Sequence, residues 1–190
     1  MCNWPADADA GIPSPELVAA WLELDTLPTE RIPLWAAHWI AAGHDGEALA
    51  ELAGLHGDDP HDVRDLLRPA LAECGVITPD FAAAAANRQR AAAMVTFNAI
   101  AQLHLDGRAS AYWVMQKVAE VTESVEFAPS VASLPMGQLF MLEDEWGAGW
   151  GRTDTQLRDV VSKACQDQLA QSRTQTTAQP PGPAGPDQAV

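Results

Sequence analysis

Leu17, Val18, Trp21 and Leu22 recur along PELVAAWLEL at a spacing that gathers them on one side of a helix. Ser14 offers the capping oxygen, Pro15 suits the first helical position and Glu16 complements the positive helix end, so the pattern predicts a helix from about Pro15 to Leu24. Thr26, Leu27 and Pro28 break it. A second helix is expected from Thr29 or Glu30 to Ala42, where Leu34, Trp35, Trp39 and Ile40 cover more than one face and call for burial. Gly43 ends it, and Asp45 is placed to cap a third helix over Gly46 to Gly54, with Leu49 and Leu52 on one side. Asp59 followed by Pro60 opens a fourth, lined by Val63, Leu66, Leu67, Ala70 and Leu71, bent at Pro69 and closed by Gly75.

Thr78, Pro79 and Asp80 repeat the cap, proline and acid signature and predict the longest helix, Pro79 to Leu105. Met94, Phe97 and Ala101 lie on one of its faces and Val95, Ala99 and Leu103 on the next, so a wide arc should be buried. Further helices are expected at Ala109 to Glu123, with Trp113, Val114, Val118 and Val121 inward, and at Pro135 to Trp146, after an irregular Phe127 to Leu134. Thr153 and Gln156 form a capping box for a last helix to Gln171, striped by Leu157, Val160, Val161, Ala164, Cys165 and Leu169. Beyond it, SRTQTTAQPPGPAGPDQAV has four prolines and almost no bulky apolar residue, the composition of a segment that cannot bury enough surface to order itself.

No stretch alternates as a half-buried strand does, so the expected fold is all-α, a compact bundle of about eight helices with a disordered C-terminal tail. The breaks divide it into a flexible lead (1–13), an acidic four-helix subdomain (14–75), a helical subdomain around a long central helix (76–171) and the Pro/Gly-rich tail (172–190).

Charge adds the most to this picture. The net charge is −15, and residues 1–75 carry 14 acids against three arginines and no lysine, whereas 76–172 carry 11 acids and seven bases. Such a field repels phosphate backbones and anionic lipid and speeds encounter with basic partners; its bland counterpart is the solubility of an alanine-rich composition of bacterial style. The longest uncharged runs fall short of the roughly 20 apolar residues a bilayer requires. Cys2, Cys74 and Cys165 are odd in number and far apart, suggesting neither a disulfide framework nor a zinc site. With an N-terminus lacking a basic start and an apolar run, the expectation is a cytoplasmic protein.

Three stretches invite a chemical reading. ALAELAGLHGDDPHDVRDLL resembles helix-turn-helix geometry, but its second helix opens with acids where base readout needs Arg, Lys, Asn or Gln, so no nucleic-acid partner is expected. His56, Asp58, Asp59, His61 and Asp62 supply metal-ligating atoms within seven residues, yet Asp59 and Asp62 are already explained as a helix cap and a first-turn acid, and no cofactor is expected. Glu143 to Arg152, EDEWGAGWGR, is glycine-rich but lacks the Gly-Lys-Ser/Thr ending of a phosphate loop; Trp146 and Trp150 beside its acids read instead as contact residues or as covers for helix ends. No nucleophile signature such as GxSxG is present.

These observations point to a non-enzymatic acidic helical binding module, an adaptor or an immunity- or antitoxin-like inhibitor docking a basic protein surface, with Asp58, Asp59, Asp62, Trp146 and Trp150 as contact residues. A small metal-dependent helical enzyme built on the 56–62 loop is the rival reading, and a homo-oligomeric structural protein a third.

Overall fold

The structure is a computed structural model that describes residues 11–57, 59–76 and 84–178, with side chains described to Thr174. It is all-α, with no strand among the described residues. The α-helices are α1 (Pro15–Glu23), α2 (Ile32–Ala41), α3 (Glu47–Gly54), α4 (Pro60–Glu73), α5 (Ala85–Leu105), α6 (Ala111–Ser124), α7 (Pro129–Ala132) and α8 (Asp154–Ala178). Short 3₁₀ turns cover Thr29–Arg31, Met136–Leu139 and Leu142–Glu145.

Locally encoded helix starts are found where the residues promise them. Leu17 N–H donates to Ser14 Oγ (3.3 Å), His61 N–H to Asp59 Oδ1 (2.8 Å), and Trp113 N–H to Ser110 Oγ (3.1 Å). In the capping box, Gln156 N–H donates to Thr153 Oγ1 (3.3 Å) and Thr153 N–H to Gln156 Oε1 (2.9 Å), so two otherwise orphaned donors are satisfied reciprocally.

Elsewhere tertiary contacts override the local signal. Asp45 does not cap α3: its N-cap is Gly46, and the donors of the first turn go to Glu73 at the far end of α4, Ala48 N–H to Oε1 (3.1 Å) and Leu49 N–H to Oε2 (2.8 Å). The helix expected from Pro79 begins at Ala85, because Ala84 is extended (φ −56°, ψ 138°); the Thr78–Pro79–Asp80 signature lies outside the described residues. Val95, expected inside, is 40% exposed, so the buried arc of α5 is narrower than its composition suggests.

The single helix expected over Pro135 to Trp146 is two 3₁₀ turns, joined through Met141 in the left-handed region (φ 69°). Met136 and Leu139, three apart, both point into the core, as the eclipsed i, i+3 geometry of a 3₁₀ turn requires. Gly137 leaves room only for a hydrogen there, since a Cβ would strike the Val131 carbonyl of α7, a helix within a segment expected to be irregular. At the C-terminus α8 passes the expected stop at Gln171 and continues to Ala178. Its added turn is anchored: Asn98 Nδ2 donates to Ser172 Oγ (2.7 Å), and buried Gln168 donates to Asn98 Oδ1 (3.1 Å). The remainder of the tail, 179–190, and most of the lead, 1–10, lie outside the described residues.

Two apolar clusters form. Leu17, Val18 and Trp21 of α1 pack with Ile32, Trp35, Trp39, Leu49, Leu52, Val63, Leu67 and Leu71 of α2, α3 and α4. Ala20 on the neighbouring side of the same α1, and Leu24 at its C-cap, pack with α5, α6, α7, the 136–139 turn and α8, around Phe97, Ile100, Met115 and Leu139. Helix α1 therefore belongs to both, and Arg88 of α5 holds it through a half-buried ion pair to Glu23 (2.8 Å). The Trp39 indole is satisfied by the Pro13 carbonyl (2.9 Å). Among the described residues, no helix is long and apolar enough to cross a membrane.

Candidate functional site

At the seam between the two clusters lies a groove of about 760 Å³, within the range of ligand pockets. Six segments build it. Trp21 of α1 and the connection Asp25 to Arg31 form one wall, the α6 side chains Tyr112, Lys117, Glu120 and Glu123 form the other, and Thr96 and Ile100 of α5 lie beneath. Arg64 of α4 and Glu143 of the 142–145 turn complete the rim.

The polar lining is unevenly satisfied. Arg64 pairs with Asp25 (2.7 Å), which sits in the left-handed region (φ 53°) that Asp tolerates better than most residues. Lys117, 8% exposed, pairs with Glu120 (2.6 Å). Arg31 remains against Glu30, Glu123 and Glu143, none of which makes an ion pair among the described residues. Burial pushes the Glu143 carboxyl above the ordinary range of a glutamate; a backbone hydrogen bond pulls it partly back, and the charges of Asp144 and Glu123 push it up again. Glu143 Oε2, Thr26 Oγ1 and Thr96 Oγ1 are buried without a hydrogen-bond partner among the described residues, and Thr96 is 1% exposed. A buried polar atom without a partner is a costly exception in a folded chain, and three share this groove.

The glycine-rich loop is closed on itself. Glu145 accepts from the Arg152 backbone N–H (2.7 Å) and from its guanidinium (2.7 Å), and these contacts hold its carboxyl below the usual range. Gly147 N–H reaches Asp154 Oδ1 (3.3 Å), so carboxylates occupy the donors that a phosphate would require. Gly151 (φ 73°) abuts the Glu145 carboxylate, where a Cβ would collide. The two tryptophans part company here. Trp146 folds back, half-buried, against Tyr112 (5.5 Å between rings) and under the Arg158 guanidinium (5.2 Å), whereas Trp150 is 60% exposed.

In the 56–62 loop, Asp59 is used as the α4 cap, Asp62 is exposed, and Asp58 lies outside the described residues. Gly57 (φ 74°) packs against the Glu30 backbone, which sets this loop behind the groove wall. Among the described residues, no group of three His, Cys, Asp or Glu side chains is placed to hold a metal. His104 bridges the Ala109 carbonyl (2.9 Å) and Ser162 Oγ (3.1 Å), a structural use of its ring. Burial raises the Cys165 thiol to about 12; Cys74 is raised by burial and by the carboxylates of Glu73 and Glu16. Neither thiol has the lowered pKa of an activated nucleophile.

Sequence reasoning took Thr26 only as a helix break and Glu143 only as the first acid of the glycine-rich stretch, and it missed Thr96, Lys117, Glu120 and Glu123. Only the charged trio on α6, at i, i+3 and i+6, leaves a trace along the chain, and that spacing is common on solvated helices.

No protein-family model, curated protein or solved structure matches this chain.

Proposed function

We propose that the chain is a non-enzymatic acidic binding module that docks a basic protein surface, as an adaptor or an inhibitor of a basic partner. The observation that carries this reading is the groove, where Glu30, Glu123 and Glu143 face a cavity without ion-pair partners among the described residues. A basic surface would supply the missing countercharges, and the surplus of acids elsewhere, Asp59 and Asp62 included, would steer its approach. Phe127 (52% exposed), Met141 (59%) and Trp150 (60%) offer apolar contacts of the kind that set complex lifetime. Free Cys74 and Cys165 suit a reducing compartment such as the cytoplasm.

Affinity capture from the native cell at low salt, followed by titration of each purified captured protein, tests the reading. Strongly basic proteins that bind stoichiometrically and are released by added salt are expected. Partners that are acidic or neutral, or whose affinity is indifferent to salt, would rule it out.

A further inference from the structure

The groove has more character than a patch of negative charge, and its character narrows what enters it. Its lining combines aromatic surface from Trp21 and Tyr112 with three buried oxygens that lack donors among the described residues: one carboxylate oxygen, Glu143 Oε2, and the hydroxyls of Thr26 and Thr96. Each oxygen can accept a hydrogen bond. A cation that carries several N–H donors and tolerates contact with aromatic rings would satisfy all three at once and supply countercharge to the carboxylate. An ammonium carries three donors on a compact, strongly hydrated centre. A guanidinium carries five in a plane, is more weakly hydrated and stacks on aromatic faces. The ammonium already present, that of Lys117, is held by Glu120 at 2.6 Å.

We propose that the groove is a guanidinium site: it receives an arginine side chain from a segment of the basic partner, bonded by Glu143 and the Thr26 and Thr96 hydroxyls and flanked by Trp21 and Tyr112. This rests on the basic-partner reading above and makes it specific. Bound arginine compensates the desolvated Glu143 carboxylate, so affinity depends on that side chain far more than on an equal charge elsewhere.

The probe is a fluorescein-labelled acetyl-Ala-Leu-Arg-Ala-Leu-Arg-Ala-amide, titrated by fluorescence anisotropy at low salt beside versions carrying lysine or neutral citrulline at both arginine positions. The arginine peptide is expected to bind about tenfold more tightly than the lysine peptide, and the citrulline peptide not measurably. Glu143→Gln should weaken the arginine peptide by about tenfold or more, whereas Asp167→Asn, which removes the same charge from exposed α8, should change it by less than about twofold. Thr96→Val, nearly isosteric, should fold as well as the wild type and still weaken arginine selectively. Equal affinity for the arginine and lysine peptides, or arginine binding unaltered by both Glu143→Gln and Thr96→Val, overturns the guanidinium site while leaving the basic-partner reading intact. Free N-acetyl-arginine amide binding as tightly as the peptide would overturn the partner segment in favour of a small cation. Failure of every cationic peptide to bind would likewise overturn the guanidinium site, while the basic-partner reading stands or falls on salt-dependent binding of the captured proteins.

Discussion

Replacing Glu73 by alanine tests how this fold closes its helix ends. The carboxylate caps α3 from the last residue of α4, taking the Ala48 and Leu49 N–H groups at 3.1 and 2.8 Å across 25 and 24 residues of chain. An N-cap oxygen contributes about 1 kcal/mol, and charge-assisted bonds are roughly twice as strong as neutral ones. Glu73 is exposed, so water replaces part of what is lost, and the net cost should be about 1 to 2 kcal/mol. For a chain of this size that is a fall in Tm of roughly 2 to 8 °C.

Gly46 makes the prediction sharper. Its φ of 165° is extended backbone open to any residue, so its role is steric: a Cβ would occupy the position of the Glu73 carboxylate. Gly46→Ala should therefore displace the cap and cost about as much as Glu73→Ala, and the double variant should cost little more than either single one. Urea denaturation gives the stabilities, and hydrogen exchange at Ala48 and Leu49 reads the cap directly. A Glu73→Ala protein with an unchanged midpoint, or strictly additive losses in the double variant, would refute the reasoning.

Burial and charge fix other outcomes. Phe97 is fully buried in the cluster around α5, and Phe97→Ala should lower stability by about 3 to 5 kcal/mol in urea melts with little change in slope. Glu143 has a folded-state pKa above its unfolded value, so its contribution is fully present below the unfolded value, near 4.5, and is lost as pH rises through the folded one. Glu143→Gln should therefore be more stable than the wild type at pH 7, with the gap closing below about pH 4.5 in melts across pH. Of Cys74 and Cys165, only half-exposed Cys74 should react with iodoacetamide in the native protein near pH 8, by peptide mass spectrometry; buried Cys165, raised to about 12, should react only as the chain unfolds.

What could be read along the chain is what a few adjacent residues decide. Ser14, Asp59 and the Thr153–Gln156 pair cap the helices that follow them because donor and acceptor are two or three residues apart. The stripe Leu157, Val161 and Cys165 is buried because helical period alone places it on one side. Asp45 carried as good a cap signal as Ser14 and is unused, since Glu73 reaches the same donors from a distant helix. Ser172 looked like the first residue of a tail, yet its hydroxyl meets Asn98 across 74 residues. Trp146 and Trp150 share one glycine-rich stretch, and only the fold separates the indole that covers Tyr112 from the one in solvent.

The groove was illegible for the same reason, and its position explains why it exists. Helix α1 turns Leu17, Val18 and Trp21 toward one apolar cluster and Ala20, with Leu24 at its C-cap, toward the other, so two cores packed to their own shapes meet along this helix. Close packing within each core is not matched at such a seam, because each surface is already committed to its own neighbours. The chain leaving α1 runs through the gap and carries Asp25, Thr26 and Glu30 with it, while α6 brings Lys117, Glu120 and Glu123 from the other side. Polar atoms placed there lose water without gaining fixed partners, as Thr26, Thr96 and Glu143 do. A bound cation would touch elements of both cores and add a cross-link between them. If ligand binding at this seam is coupled to how firmly α1 is held between the clusters, Glu23→Gln, which breaks the ion pair to Arg88 outside the groove lining, should weaken the arginine peptide in the same anisotropy titration, and unchanged affinity would refute the coupling.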